Sequence, residues 1–171
     1  DFEGEPDNTS VEFFVNYLGS VVVGTGCPDG QAKVWISSDG RSYKLLQVLS
    51  GTHATCGTVL DGAVYIGTKG GPLYKYNNQR VDSTGVVLGS GIFSIYGANH
   101  FLWCGTGNQG KIYKINTDLN SANNQNAFTP TFLHAENDSV IGAIAAVNLP
   151  AVTASTSQPP DDFIVFAAGK N

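Results

Sequence analysis

The sequence contains no methionine, only nine lysines and arginines, and a charged fraction of 13% over 171 residues. The few basic residues are scattered and the formal charge is −5. Such a chain has no basic stripe to neutralise a run of phosphates, so nucleic acid is not an expected partner. Long hydrophobic runs are lacking too. The longest, residues 140–154, is interrupted by Asn148 and Pro150 and is too short to cross a bilayer, so no membrane insertion is expected. No signal peptide opens the chain, and Asp1 in place of an initiator methionine points to processing or trimming. Cysteine is scarce, and Cys27, Cys56 and Cys104 lack metal-ligand spacing. They read as buried or semi-buried free thiols, with one disulfide and one cysteine left over as the alternative. No metal site and no cofactor is expected. Helical periodicity is also missing, which leaves strands.

What the chain has in quantity is glycine, 21 residues of it, with much Asn, Val, Ile, Tyr and Phe. That mixture suits short strands joined by tight turns. Four segments line up: Val21-Val22-Val23-Gly24-Thr25-Gly26, Val64-Tyr65-Ile66-Gly67-Thr68-Lys69, Leu102-Trp103-Cys104-Gly105-Thr106-Gly107 and Ile164-Val165-Phe166-Ala167-Ala168-Gly169. The three Gly-Thr glycines lie 43 and 38 residues apart, and the fourth segment follows after 62. A second signal keeps step with the first. Val34-Trp35, Leu73-Tyr74 and Ile112-Tyr113 recur every 39 residues.

Each unit divides into four short strands. The first would span residues 11–18, 54–60, 92–96 and 140–147. The second would span 21–24, 63–67, 101–105 and Phe163–Ala167. The third carries the aromatic pairs, and the fourth would span 43–49, 81–88 and 129–134. Leu18-Gly19-Ser20, Asp61-Gly62 and Gly97-Ala98-Asn99 supply turns between the first and second strands. A four-stranded antiparallel meander repeated near 40 residues is the mark of a β-propeller blade, as in WD40-like repeats. No Trp-Asp dipeptide ends a strand, however, and Gly70-Gly71 is the one Gly-Gly pair. The expectation is one all-β domain over residues 1–171, a partial propeller of about three and a half blades. The blades would be residues 9–51, 52–90 and 91–138, with an incomplete one at 139–171. Polar insertions at 120–126 and 150–162 should be surface loops. The edge of Phe163–Ala167 calls for a partner strand, from missing chain or another subunit.

Ser37, Asp39, Gly40 and Tyr43 stand in the order of the Asp-box, so this hairpin resembles those of sialidase-like, BNR-repeat propellers. The resemblance covers one hairpin and implies a structural turn, with Asp39 bonding backbone N–H groups and an aromatic residue packed beneath. A sialidase-type site would need three arginines and a Tyr–Glu pair. Arg41 and Arg80 are the only arginines, and both are expected near the edge opposite the binding face. No catalytic residue is therefore assigned. Gly105 to Lys111 lacks the spacing of a phosphate loop and reads as a hairpin turn.

In such a meander, the turns joining second to third strands and the links between blades emerge at one end. There they gather Asp29, His53, Lys69, Asn108, Gln109, His134, Glu136 and Asp138 (with Cys27 beside them), the candidate partner-binding face. The functional expectation is a non-catalytic recognition or scaffold module for a protein or glycan partner. Low charge and Asn/Ser/Thr-rich loops resemble those of extracellular or virion-associated surface proteins. The alternatives are a structural virion or fibre component, or part of a propeller glycan hydrolase or lyase whose catalytic residues lie elsewhere.

Overall fold

The computed structural model describes residues 2, 10–27, 30–107, 109–118, 128–135, 140–148 and 163–170. The chain is all-β, with no helix among the described residues. Strands β1 (Ser10–Tyr17), β2 (Ser20–Gly26), β3 (Ala32–Ser37) and β4 (Lys44–Leu49) form a first antiparallel meander. Strands β5 (His53–Leu60), β6 (Ala63–Lys69), β7 (Tyr74–Tyr76) and β8 (Val81–Ser83) form a second, joined to the first as one eight-stranded sheet through Gly26 and His53. Strands β9 (Ile92–Ala98), β10 (Phe101–Thr106), β11 (Lys111–Asn116) and β12 (Pro130–Ala135) form a third, and β13 (Val140–Asn148) pairs with β14 (Phe163–Lys170). The insertions at 120–126 and 150–162 lie outside the described residues.

The four units share one register. Phe13 pairs with Gly24, Cys56 with Gly67, Ser94 with Gly105 and Ala143 with Ala168. Just before each of these pairs the first strand carries one extra residue: Glu12, Thr55, Phe93 or Gly142. A bulge at the same place in all four strands bends each of them alike. The bulky Val11-Glu12-Phe13-Phe14 therefore holds the common register. The pairing of β13 with β14 also corrects the alignment of the last segment. Ala168, not Ala167, stands where Gly24, Gly67 and Gly105 stand, and β14 runs on to Lys170.

Consecutive units stack face to face. Val22, Val34 and Leu49 of the first meet Ala54, Val64, Ile66, Tyr74 and Tyr76 of the second in one buried cluster. Leu60, Tyr65, Leu73 and Leu88 of the second meet Ile92, Leu102, Cys104 and Ile115 of the third in another. Val34 and Leu73 thus point toward the following sheet, while Tyr74 and Tyr113 point toward the preceding one, as the period-2 alternation of a strand requires. The first strands β1, β5, β9 and β13 neighbour one another in turn, whereas β4, β8 and β12 share no comparable contact. The first strands thus lie side by side.

The repeated Gly-Thr follows from this packing. A Cβ on Gly67 would sit 2.9 Å from Ile92, and one on Gly105 would sit 2.5 Å from Ile141, each a buried residue near the start of the next unit's first strand. The threonine beside each glycine is buried and braces the next strand: Thr68 Oγ1 donates to Pro72 O at 2.8 Å, and Thr106 Oγ1 to Lys111 O at 3.2 Å. Thr25 Oγ1 likewise donates to Lys33 O at 3.5 Å and also accepts the Trp35 indole N–H at 3.1 Å.

Two local expectations are corrected. The third tight turn is Asn99-His100, both at positive φ, because Ala98 already pairs with Phe101. The fourth strand of the second unit is three residues long rather than eight, since Gly85 at φ +79° turns the chain out of the strand.

Candidate functional site

Three backbone bridges mark one end of the stack: Gly26 to His53, Lys69 to Gly91 and Gly107 to Val140. Each ties the end of a second strand to the start of the next unit's first strand. Around them run the connections β2–β3, β4–β5, β6–β7, β8–β9 and β10–β11, and the backbone bonds Thr52 N–H to Lys69 O (2.9 Å) and Gly70 N–H to Ser90 O (3.0 Å).

Of the expected face residues, the structure brings His53, Lys69, Gln109 and His134 to this end. His53 and Lys69 pair directly across β5 and β6. His53 is half-buried, with Nδ1 2.9 Å from Thr52 Oγ1 and its ring over Gly26. Lys69 and Gln109 are exposed, and Gln109 sits at φ +77° in the β10–β11 turn. His134 is an exposed strand residue of β12, opposite Ile112. Asp29, Asn108, Glu136 and Asp138 lie outside the described residues. Cys27 is buried and Cys56 half-buried, and desolvation pushes the Cys56 thiol up to about 12. Cys104, buried between the second and third sheets, is raised by the same cause. None of the three is joined in a disulfide. Among the described residues no cluster of three His, Cys, Asp or Glu is placed to hold a metal ion.

Among the described residues, the opposite end carries short turns. Leu18-Gly19, Asp61-Gly62 and Asn99-His100 each hold both residues at positive φ, the signature of a two-residue type I′ hairpin. The third-to-fourth-strand turns open on an Asx bond. Asn77 Oδ1 accepts Gln79 and Arg80 N–H at 3.1 Å each, and Asn116 Oδ1 accepts Asp118 N–H at 2.9 Å. Asp39 is the fullest example. Its Oδ1 accepts Ser42 N–H at 2.9 Å, Arg41 N–H at 2.8 Å and Ser37 Oγ–H at 2.9 Å. These donors, Ser42 first, hold the carboxyl down to about 2. Gly40 takes φ +69°, and the Tyr43 ring lies 4.8 Å from that of Phe2. Arg41 and Arg80 belong to this end.

A polar cluster that the sequence reading passed over also lies here. His100 Nδ1 is 2.9 Å from Asp61 Oδ2, joining the tight turns of the second and third units. The Thr117 hydroxyl is 2.9 Å from Asp61 Oδ2 and from the His100 carbonyl oxygen. The hydrogen bond to Asp61, and then its charge, raise the His100 pKa above 6.5. A raised histidine pKa adds stability below pH 6.5 that is lost as pH climbs through the folded-state value. The nuclear magnetic resonance titration of His100 is therefore expected to have its midpoint above 6.5, and to fall toward 6.5 in Asp61→Asn. An unchanged midpoint in that variant would remove Asp61 as the cause.

No family model matches this chain, and no curated protein does. Solved structures do. The computationally designed Ika4 protein superposes with a TM-score of 0.53 at 19% identity, over 85% of this chain and 83% of that one. The computationally designed Ika8 protein gives 0.52 at 20%, over 80% of this chain. The match spans 40% of the length of Ika8. At this identity the likeness concerns the fold.

Proposed function

We propose that the chain is a β-propeller segment that works as a non-catalytic recognition module, engaging a protein or glycan through the end that carries His53, Lys69, Gln109 and His134. The observation that supports the radial arrangement is the convergence of β1, β5, β9 and β13 while the fourth strands stand apart. A constant step between identical sheets, repeated, generates a ring. The choice of end follows from what each end is built of. Apart from the insertions at 120–126 and 150–162, one end presents, among the described residues, two-residue type I′ turns and Asx-capped turns, whose polar groups are largely spent on their own backbone. The other consists of connections that vary in length and chemistry on a stack locked by the three bridges, the arrangement in which repeat proteins carry binding residues.

The test is a glycan array and a pull-down with the purified chain as bait. Binding should fall about tenfold or more in one or more of Asp29→Ala, His53→Ala, Lys69→Ala, Asn108→Ala and Glu136→Ala, with the melting temperature unchanged, the scale of a contact that matters. Binding lost only when residues 120–126 are deleted, or 150–162 shortened, would move the site to the opposite end.

A further inference from the structure

Where the first and second units meet at the end marked by the three bridges, the strand ends carry a polar cluster. Gly26 of β2 lies between Ser10, its partner on β1, and His53, its bridge on β5. Gly26 has no positive φ, so the glycine is there for room and not for its backbone. A Cβ on it would sit 2.2 Å from His53 Cδ2, 2.8 Å from His53 Nε2 and 2.9 Å from Ser10 Oγ. The imidazole and the serine hydroxyl therefore share the space over Gly26. The Ser10 hydroxyl donates to the Glu12 carboxylate, and Thr52 Oγ1 is 2.9 Å from His53 Nδ1. Lys69 is exposed and pairs with His53 across β5 and β6. A carboxylate, an imidazole, an ammonium and two hydroxyls thus come together from two units.

The same register positions in the other units show that stacking does not require this chemistry. Glu12 is the bulged residue of its strand, and its equivalents are Thr55, Phe93 and Gly142. Thr55 gives its hydroxyl to backbone, to Gly67 O and to Ile92 O of the next unit. Phe93 lays its ring over Gly107. Glu12 instead is exposed, with its carboxylate held by Ser10. The place of His53 is taken by Gly91 in the third unit and by Val140 in the fourth. A few polar groups placed together on a scaffold that packs without them are the pattern of a ligand site.

The charges decide the class of ligand. The Glu12 carboxylate can only accept hydrogen bonds and has lone pairs beyond the one that Ser10 uses, whereas the Lys69 ammonium can only donate. An anion would be repelled by Glu12, and a cation by Lys69. A neutral group that both donates and accepts suits the two together. Adjacent hydroxyls of a sugar ring are such a group, one donating to Glu12 and the next accepting from Lys69. We infer that Ser10, Glu12, His53 and Lys69 form a binding site for a neutral sugar residue, held through two adjacent hydroxyls. The inference rests on the recognition reading above and names its ligand. Ser10, Glu12 and Thr52 extend the face residues expected from the sequence.

The experiment is a titration of the 171-residue chain, read from the histidine ring signals in nuclear magnetic resonance. The probes are methyl α-D-mannopyranoside, methyl α-D-glucopyranoside and methyl β-D-galactopyranoside, with acetate, phosphate and methylammonium as charged comparisons. At least one glycoside should move the His53 signals saturably and leave those of His100, at the opposite end, in place. Glu12→Gln and Lys69→Ala should each raise its dissociation constant about tenfold, the scale of one hydrogen bond to a charged group. Both side chains are exposed, so the melting temperature should hold. No saturable binding of any glycoside, a charged probe bound as tightly as the glycosides, or glycoside binding that Glu12→Gln leaves unchanged would each overturn the site. The array and pull-down keep the two readings apart. A partner lost with His53→Ala or Asn108→Ala but kept by Glu12→Gln overturns the sugar site and leaves the recognition face. A partner indifferent to every substitution at this end removes both.

Discussion

Leu73→Ala is expected to lower the unfolding free energy by about 2–5 kcal/mol, measured by urea denaturation as a shifted midpoint with little change in slope. Leu73 has no exposed surface and lies in the cluster between the second and third sheets, against Leu102, Cys104 and Ile115. Its backbone cannot move in to fill the space left behind. Leu73 N–H donates to Val86 O at 2.8 Å, and Leu73 O accepts Thr84 N–H at 3.0 Å and the Thr84 hydroxyl at 2.9 Å. A site pinned on both sides collapses poorly, and the penalty grows with the cavity that remains. The comparison is Val87→Ala, which removes an exposed side chain from the β8–β9 connection beside it and should cost less than about 0.5 kcal/mol. Equal effects at the two positions would mean that no sheet packs on Leu73.

The pairing of Leu73 with Tyr74 shows what the sequence makes legible. A strand buried on both faces must carry apolar residues at consecutive positions, and a repeated stack must carry them at a repeated spacing. Val34-Trp35, Leu73-Tyr74 and Ile112-Tyr113 satisfy both conditions, so the third strands are legible in the sequence. The Gly-Thr element was legible for a related reason, because close approach of the next unit excludes a side chain at Gly67 and Gly105. Single-residue shifts of register were not. Ala143 pairs with Ala168, and nothing in Ile164-Val165-Phe166-Ala167-Ala168-Gly169 tells Ala167 from Ala168. The turn at Asn99-His100 was misplaced because Gly97 has the more familiar turn chemistry, yet Gly97 remains in the strand, paired with Leu102.

The polar cluster was hidden for another reason. Asp61, His100 and Thr117 are far apart in the chain and meet only because the second and third sheets stack. A faint signal existed, since Asp61-Gly62 and Asn99-His100 occupy the same turn of successive units. An acid and a histidine at equivalent positions of adjacent repeats are neighbours in any stacked array. The same logic orders the candidate face. His53, Lys69 and Gln109 reach one end because strand direction alternates, which a correct strand count secures even where individual boundaries shift.

Gly105→Val is expected to destabilise the chain by about 3 kcal/mol, at the upper end of ordinary overpacking. The backbone of Gly105 is ordinary β-strand with no positive φ, so the penalty is one of space alone. A Cβ there would lie 2.4 Å from Ser94 Oγ, 2.5 Å from Ile141 Cγ2 and 2.7 Å from Ile141 Cβ. The two neighbours come from opposite sides of the problem. Ser94 belongs to the same sheet, and its hydroxyl donates to Ile141 O at 2.7 Å, so any shift that makes room for valine also breaks the bond joining β9 to β13. Ile141 belongs to the next unit and is fully buried. Shortening Ile141 should therefore return part of what Gly105→Val removes. In a double-mutant cycle with Ile141→Ala, the coupling between the two positions should be about 1–3 kcal/mol in the compensating direction. Gly97→Val is the internal comparison. Its Cβ would come no nearer than 3.0 Å to Leu60 Cβ, so its effect should be the smaller of the two. Additive effects at Gly105 and Ile141 would mean that β10 and β13 do not touch there, and the third and fourth units would lose the contact that continues the stack.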